Sequence, residues 1–294
     1  MGKTAKRFIV VFPTIFELNG LNLSIANNVR KNRMADLLQI THEPHGILRL
    51  TLNDPARRNA LSEAMLDHLW DAIQLASDDA SVRAVIIAAN GPAFCAGHDL
   101  KELTAGRAND DKGKAYFTKI MTRCSSVMQA ILQTPKPVIA EVNATATAAG
   151  CQLVASCDLA FASPSAKFST PGVHIGLFCS TPMVALSRNV GAKHAMEMLL
   201  TGDMISAERA ADIGLLNAVI VSAELQNHVT NVAKKIASKS AVTLATGKAA
   251  FYAQRELSVA DAYDYAARVM VENMLHRDAA EGINAFIEKR DPKW

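Results

Sequence analysis

The sequence predicts an α/β fold, with strands and helices alternating along most of the chain and a wholly helical tail closing it. Three observations carry that reading. Short apolar runs such as "VRAVIIAAN" and "KPVIAEV" are separated by longer stretches whose apolar residues recur at helical spacing. Each of these runs leads into a cluster of small residues, "CAGHD" and "NATATAAGCQ", where a strand hands over to a helix. After Ala223 the strand pattern stops, and "LQNHVTNVAKKIASKS" and "ADAYDYAARVMVENML" read as helices.

Residues 1–33 stand apart. Lys3, Lys6, Arg7, Arg30, Lys31 and Arg33 face a single acid, Glu17, the basic, acid-poor composition of a transit peptide. The same composition suits an extension upstream of a start at Met34. Residues 1–36 are therefore read as a basic extension, followed by a β/α core over 37–230 and a helical segment over 231–294. The compartment follows the same fork: the mitochondrial matrix for a transit peptide, the cytoplasm for a bacterial protein.

From Leu37 onward, "LLQITHEPHGILRLTLND" alternates apolar and polar residues across a His-Gly turn, a hairpin pattern. Asn59 or Ser62 can cap a helix through "LSEAMLDHLWDAIQLASDD", where Leu61, Met65, Leu69, Ile73 and Leu75 follow a helical period. A buried strand, the "CAGHD" loop and a helix near "YFTKIMTRCSSVMQAILQ" follow. Next come the strand "KPVIAEV", a turn into the helix of "ATATAAGCQLVASCD", and the strand "LAFASP". No internal sequence repeat is visible.

Bulk composition narrows the function classes. The chain has 294 residues, 50% of them hydrophobic and 20% charged, the balance of a globular protein with a sizeable core. A net charge of +3 gives no reason to expect a nucleic-acid partner. "RFIVVFPTIF" is interrupted by Pro13 and falls short of the ~20 apolar residues of a membrane span. Five cysteines form no CxxC pair and read as reduced thiols, with Cys151 and Cys157 as packing residues. The eight histidines show no ligand spacing, so no metal is expected.

The two small-residue turns carry the chemistry. The first N–H groups of a helix have no intrahelical partner, and the dipole there favours negative charge. Two such amides aimed at one point would stabilise an enolate or tetrahedral oxygen. Small side chains let a backbone approach its ligand closely. By itself the pattern suits tight packing equally well.

The motifs add a family. "NDPARRNALS", "GPAFCAGHDLKEL", "KPVIAEVNATATAAGCQLVASCDLAFASPSAKFSTPGVHIGL", "AMEMLLTGDMISAERAADIGLLNAVI" and "RDAAEGINAFIEKR" together resemble the enoyl-CoA hydratase/isomerase (crotonase) superfamily over residues 38–294. The resemblance implies a crotonase-like ββα spiral core with a C-terminal α-helical trimerisation segment, and assembly as a trimer or a dimer of trimers. It implies an acyl-CoA or enoyl-CoA thioester from fatty-acid metabolism as substrate, with coenzyme A entering as part of that substrate and no separate cofactor. The thioester carbonyl would sit between the backbone amides of His98 and Ala149, the latter replacing a family glycine. The positions matching Arg58, Ala60 and Leu61, and Ala96, Asp99, Leu100 and Lys101, flank adenine and pantetheine. Phe286 and Lys289 match tail residues that reach a neighbouring subunit's coenzyme A.

Two departures matter. Where family hydratases carry a glutamate on the helix after the second turn, this chain has Gln152; where a second glutamate follows a proline, it has Gly172. Hydration needs a group to take a proton from water and an acid to protonate the α carbon. An amide has no useful basicity at neutral pH, and glycine has no side chain. Other candidates are weaker. The imidazole of His98 is read as pointing outward, His174 as packing or solvent-facing, and Asp99 as a helix cap. Glu141 is read as an edge or subunit contact, while Cys179 and Ser180 form no recognisable triad. Three functions remain open: a hydratase or isomerase, another acyl-CoA reaction such as decarboxylation or thioester hydrolysis, and non-catalytic acyl-CoA binding.

Overall fold

The computed structural model describes residues 37–294; the basic segment 1–33 lies outside them. The predicted hairpin is present: β1 (Leu38–Glu43) and β2 (Ile47–Leu52) pair antiparallel, with His45 and Gly46 at positive φ in the turn. Ser62, not Asn59, caps α1 (Glu63–Asp78), its hydroxyl accepting from the Met65 N–H at 3.2 Å. Met65, Leu69, Ile73 and Ala76 face the core, but Leu75 is 65% exposed. Two residues past Ile73, it falls on the opposite side of a 3.6-residue period.

Beyond the hairpin, the chain coils. β3 (Ala84–Ala89), β5 (Val138–Val142) and β7 (Leu159–Ala162) enter one large sheet in parallel, and β10 (Ala218–Val219) closes its far edge. After each of the first three, a short strand joins a second sheet: β4 (Ala93–Cys95), β6 (Thr145–Thr147) and β8 (Lys167–Ser169), with β9 (Ile205–Ser206) antiparallel at its edge. A helix follows each pair. α2 (Leu100–Gly106) and α3 (Lys114–Gln133) come after β4, α4 (Ala149–Ser156) after β6, and α5 (Ser180–Asn189) after β8. The ββα unit thus repeats in space without repeating in sequence. Strands of two or three residues are too short to show a period, so the second sheet leaves no mark in the pattern.

Each face of the large sheet has its own core. On one side Leu50, Val85, Ile87, Val138 and Ala140 pack with α1, α3 and α4. On the other, Ile47, Ala84, Ile86, Ile139 and Phe161 meet Leu225, Val229 and Ala233 of α8 (Leu225–Ala237). A strand covered on both faces reads as an unbroken apolar run, as β3 does. The connection from β9 to α8 includes α7 (Ala207–Asp212), and α6 (Ala192–Thr201) lies upstream of β9.

The boundary expected at 230/231 falls inside α8, which belongs to the sheet. The purely helical segment is α9 (Ala241–Gln254), α10 (Val259–Met274) and α11 (Arg277–Ile287). α9 is pinned to the core by Lys248, whose ammonium donates to Ile131 O (2.8 Å), Lys136 O (2.9 Å) and the Asp158 carboxylate (2.7 Å). Tyr252 donates to the other Asp158 oxygen at 2.8 Å. Burial pushes the Lys248 pKa below its ordinary value despite that carboxylate.

Glu141 is not an edge residue. β5 lies between β3 and β7, and Glu141 accepts from Arg49 at 2.6 Å. Arg49 also pairs with Glu43 and donates to Thr230 of α8, so the cluster fastens that helix to the sheet.

Candidate functional site

Two strand-to-helix turns leave the small sheet side by side, because β4 and β6 are paired in parallel. In the first, Gly97 sits at φ +90°, where a Cβ would lie 2.9 Å from Ala148 Cβ and 3.3 Å from Ala149 N. Only glycine adopts that backbone cheaply and allows that approach. Asp99 caps α2, accepting from Lys101 N–H at 2.8 Å and Glu102 N–H at 3.3 Å, as its position predicts.

In the second turn, Ala148 holds φ +50° and ψ −119°, a strained conformation for a residue bearing a Cβ. It is held there from both sides: its N–H donates to Ser169 O at 2.9 Å, and its carbonyl accepts from Gln152 N–H at 3.0 Å. All eight residues of α4 are buried. A Cβ on Gly150 would sit 2.2 Å from Cys95 O, so α4 starts in direct contact with the end of β4. Among the described residues, neither the His98 N–H nor the Ala149 N–H has a protein acceptor.

Several polar side-chain atoms of these turns and of the strand beside them lack partners. Both ring nitrogens of His98, Oε1 of Gln152 and Oγ of Ser169 are buried without a well-aligned hydrogen-bond partner. Gln152 is 4% exposed and Ser169 fully buried. The His98 ring therefore turns inward, not outward. Burial holds its pKa below the usual histidine value, outweighing the opposing pull of the Leu61 backbone. Gly172 lies in the turn Pro171–Ile175, where a Cβ would meet Leu177 O at 2.6 Å and Cys179 Sγ at 2.9 Å. A longer side chain has no room there without moving backbone.

The loop Asp54–Ser62 is stitched to the first turn. Ala96 N–H donates to Arg58 O at 3.1 Å and Leu61 N–H to Gly97 O at 2.8 Å. Asn59 holds the loop shut: its amide donates to Asn90 O and Ala93 O, each at 2.8 Å, and accepts from Asp54 N–H at 2.7 Å. Arg58, Ala60, Leu61, Ala96, Asp99, Leu100 and Lys101 are thus gathered, with Arg58, Ala96, Leu100 and Lys101 exposed. Phe286 and Lys289 are not part of that group. They stand at the end of α11, which packs on α9 and α10, and Phe286 is 86% exposed.

The remaining candidates are structural. His174 Nε2 meets Thr201 O at 2.8 Å, tying its turn to α6. Burial pushes the Cys179 thiol up, and pushes Cys95, Cys124 and Cys151 to about 12, so none of these offers a thiolate at neutral pH. Among the described residues, no cluster of three metal-ligating side chains occurs. No described helix is long and apolar enough to cross a membrane.

Sequence reasoning misses three residues of this region: Asn59 as the clasp of its loop, Gly150 and Ser169. A buried Asn and Ser give no periodic signal, though the small-residue run "TAAGC" does hint at the tight approach of Gly150.

The family model for enoyl-CoA hydratase/isomerase matches residues 42–294. The chain belongs to this family. It is 48% identical over 257 residues to rat mitochondrial enoyl-CoA hydratase domain-containing protein 3, covering 87% of this chain and 84% of that one. The human protein of the same name is 49% identical over 249 residues, covering 85% and 80%. Among solved structures of the family, a Mycobacterium smegmatis enoyl-CoA hydratase superposes with a TM-score of 0.84 at 50% identity, covering 88% and 98%. The human domain-containing protein 3 gives 0.83 at 47% identity, covering 88% and 100%. The crotonase-like fold is thus the one the motifs imply.

Proposed function

We propose that this chain binds an acyl-CoA thioester with its carbonyl oxygen between the amides of His98 and Ala149, and that it hydrates enoyl-CoA far more slowly than a member with two glutamates. The observation that carries the reading is the pair of unpartnered amides on adjacent turns, one preceded by the strained Ala148. Amides fixed in place ahead of reaction stabilise a developing oxyanion without reorganising. The substrate loop Arg58–Leu61 and the segment Ala96–Lys101, stitched together by hydrogen bonds, support coenzyme A along their exposed edge.

Gln152 can orient a water but not take its proton, and Gly172 supplies no group at all. Each positioned acid or base is worth about 10²–10⁴ in rate. The second reading, binding without turnover, is favoured by the same two residues. One experiment separates them: titrate the protein calorimetrically with crotonyl-CoA, then assay its hydration. Micromolar binding with a rate orders of magnitude below a two-glutamate member supports the proposal. Ordinary hydratase rates would overturn it.

Self-assembly belongs to the same proposal. α9 and α10 bury no residue completely, while Val259, Tyr263, Met270, Met274, Leu275, Phe286 and Ile287 expose apolar surface. Such patches mark interfaces. A trimer or hexamer covers them and brings Phe286 and Lys289 to a neighbour's coenzyme A. The relatives named as mitochondrial support the matrix as compartment.

A further inference from the structure

A peptide group is planar and trans, so its carbonyl oxygen and its N–H point to opposite edges. Fixing one aims the other. The His98 N–H shares a peptide with the Gly97 carbonyl, and that carbonyl accepts from Leu61 N–H at 2.8 Å. Leu61 and His98 also form a parallel bridge, so the His98 N–H faces away from the loop Asp54–Ser62. The Ala149 N–H is aimed in the same manner, since the Ala148 carbonyl of its peptide accepts from Gln152 N–H at 3.0 Å.

The two anchors differ in stiffness. Gln152 belongs to the buried helix α4, whereas Leu61 follows shortly after Arg58 and Asn59, at φ +53° and +52°. Left-handed backbone is unfavourable for residues with a Cβ, least so for Asn, and persists only where its surroundings hold it. Asn59 supplies that hold and is fully buried. Its amide nitrogen donates to Asn90 O and Ala93 O at 2.8 Å each, and its amide oxygen accepts from Asp54 N–H at 2.7 Å. Ala93 begins β4, the strand that leads into Gly97. Asn59 therefore ties the loop carrying Leu61 to the strand carrying the peptide that Leu61 anchors.

We propose that Asn59 is a positioning residue for the thioester: by keeping the Leu61 N–H on the Gly97 carbonyl, it aims the His98 N–H at the thioester oxygen. The inference rests on the acyl-CoA reading above.

The test compares butyryl-CoA with its thioether analogue S-butyl-CoA, which lacks the carbonyl, by calorimetry on the full chain and two variants. Asn59→Gly suits the left-handed backbone but loses every side-chain bond, and Asn59→Ser keeps a single hydroxyl. The unmodified chain prefers the thioester by about tenfold. In Asn59→Gly that preference falls toward one while S-butyl-CoA stays within about twofold of its original affinity, less than one net hydrogen bond is worth. Asn59→Ser falls between them and carries the test where the glycine variant does not fold. An unchanged preference in the folded variants, with both ligands weakened equally or not at all, overturns the inference and leaves the acyl-CoA reading standing. Failure of both variants to fold also overturns it, assigning Asn59 to stability. No preference for the thioester in the unmodified chain overturns the pair of amides itself.

Discussion

Substituting Gly150 by alanine puts the smallest side chain where the two turns touch. Its Cβ would lie 2.2 Å from Cys95 O, 2.8 Å from Cys95 C and 2.8 Å from Cys95 Cβ. Non-bonded carbon contacts settle near ~3.5 Å, so α4 and β4 must separate by about 1 Å. Neither side yields easily: α4 is buried along its whole length, and β4 is paired to β6. Forced overpacking of this kind costs about 1–3 kcal/mol. For a domain of this size each kcal/mol lowers Tm by about 2–4 °C, so a fall of several degrees is expected. The Ala149 amide moves with the helix, and losing its one hydrogen bond to a bound carbonyl would weaken butyryl-CoA binding by up to about tenfold. Differential scanning calorimetry gives the first number, and titration with butyryl-CoA the second, taken well below the variant's Tm. A Gly150→Ala protein with native Tm and native affinity would refute the close-contact account of this site.

Gly247, inside α9, has no atom within 4 Å of the place a methyl group would take; Gly247→Ala should therefore stabilise by about 0.5–1 kcal/mol, read as a raised Tm. Lys248→Met leaves the part-buried Asp158 without its cation, a loss of up to about 3 kcal/mol visible in urea unfolding. Gln152→Glu should raise crotonyl-CoA hydration, whereas adding Gly172→Glu should lower expression and Tm because its Cβ meets Leu177 O at 2.6 Å. The C-terminal tail should loosen in acid. Glu281, held at about 2 by Arg290 and the Lys293 N–H against 4.5 when free, contributes stability that is present above pH 4.5 and lost as pH falls toward 2. Fluorescence of Trp294, whose indole donates to Ser238 O, reports that release.

The elements with strong periodicity are legible in the sequence: the hairpin, α1, β3, β5 and the helical tail. What escapes it is set by contacts between distant residues. β4, β6 and β8 exist because neighbouring turns of the coil align them, not because three residues have a preference of their own. The free backbone N–H of Ala149 is legible, since helix starts leave N–H groups free wherever they occur, whereas His98 precedes the cap Asp99 and is reached only through the family motif. The inward turn of the His98 ring is not legible, because it depends on what surrounds the ring. Glu141 reads as a peripheral acid until Arg49, 92 positions away along the chain, is found opposite it.

The coil of ββα units has a consequence for how chemistry can change on this scaffold. Adjacent strands lie about 4.8 Å apart, so the helix starts that follow β4 and β6 are spaced by the sheet itself. Substituting side chains leaves that spacing untouched, because both amides are backbone. The third unit, with Ser169 and Gly172, supplies another position one strand further on. Acid, base or neutral polar groups can therefore be exchanged at Gln152 on the first turn of α4 while the two amides keep their places, whereas the packed turn at Gly172 admits none without moving backbone. On the acyl-CoA reading proposed above, a lineage can exchange one reaction for another on this scaffold without losing its hold on the thioester.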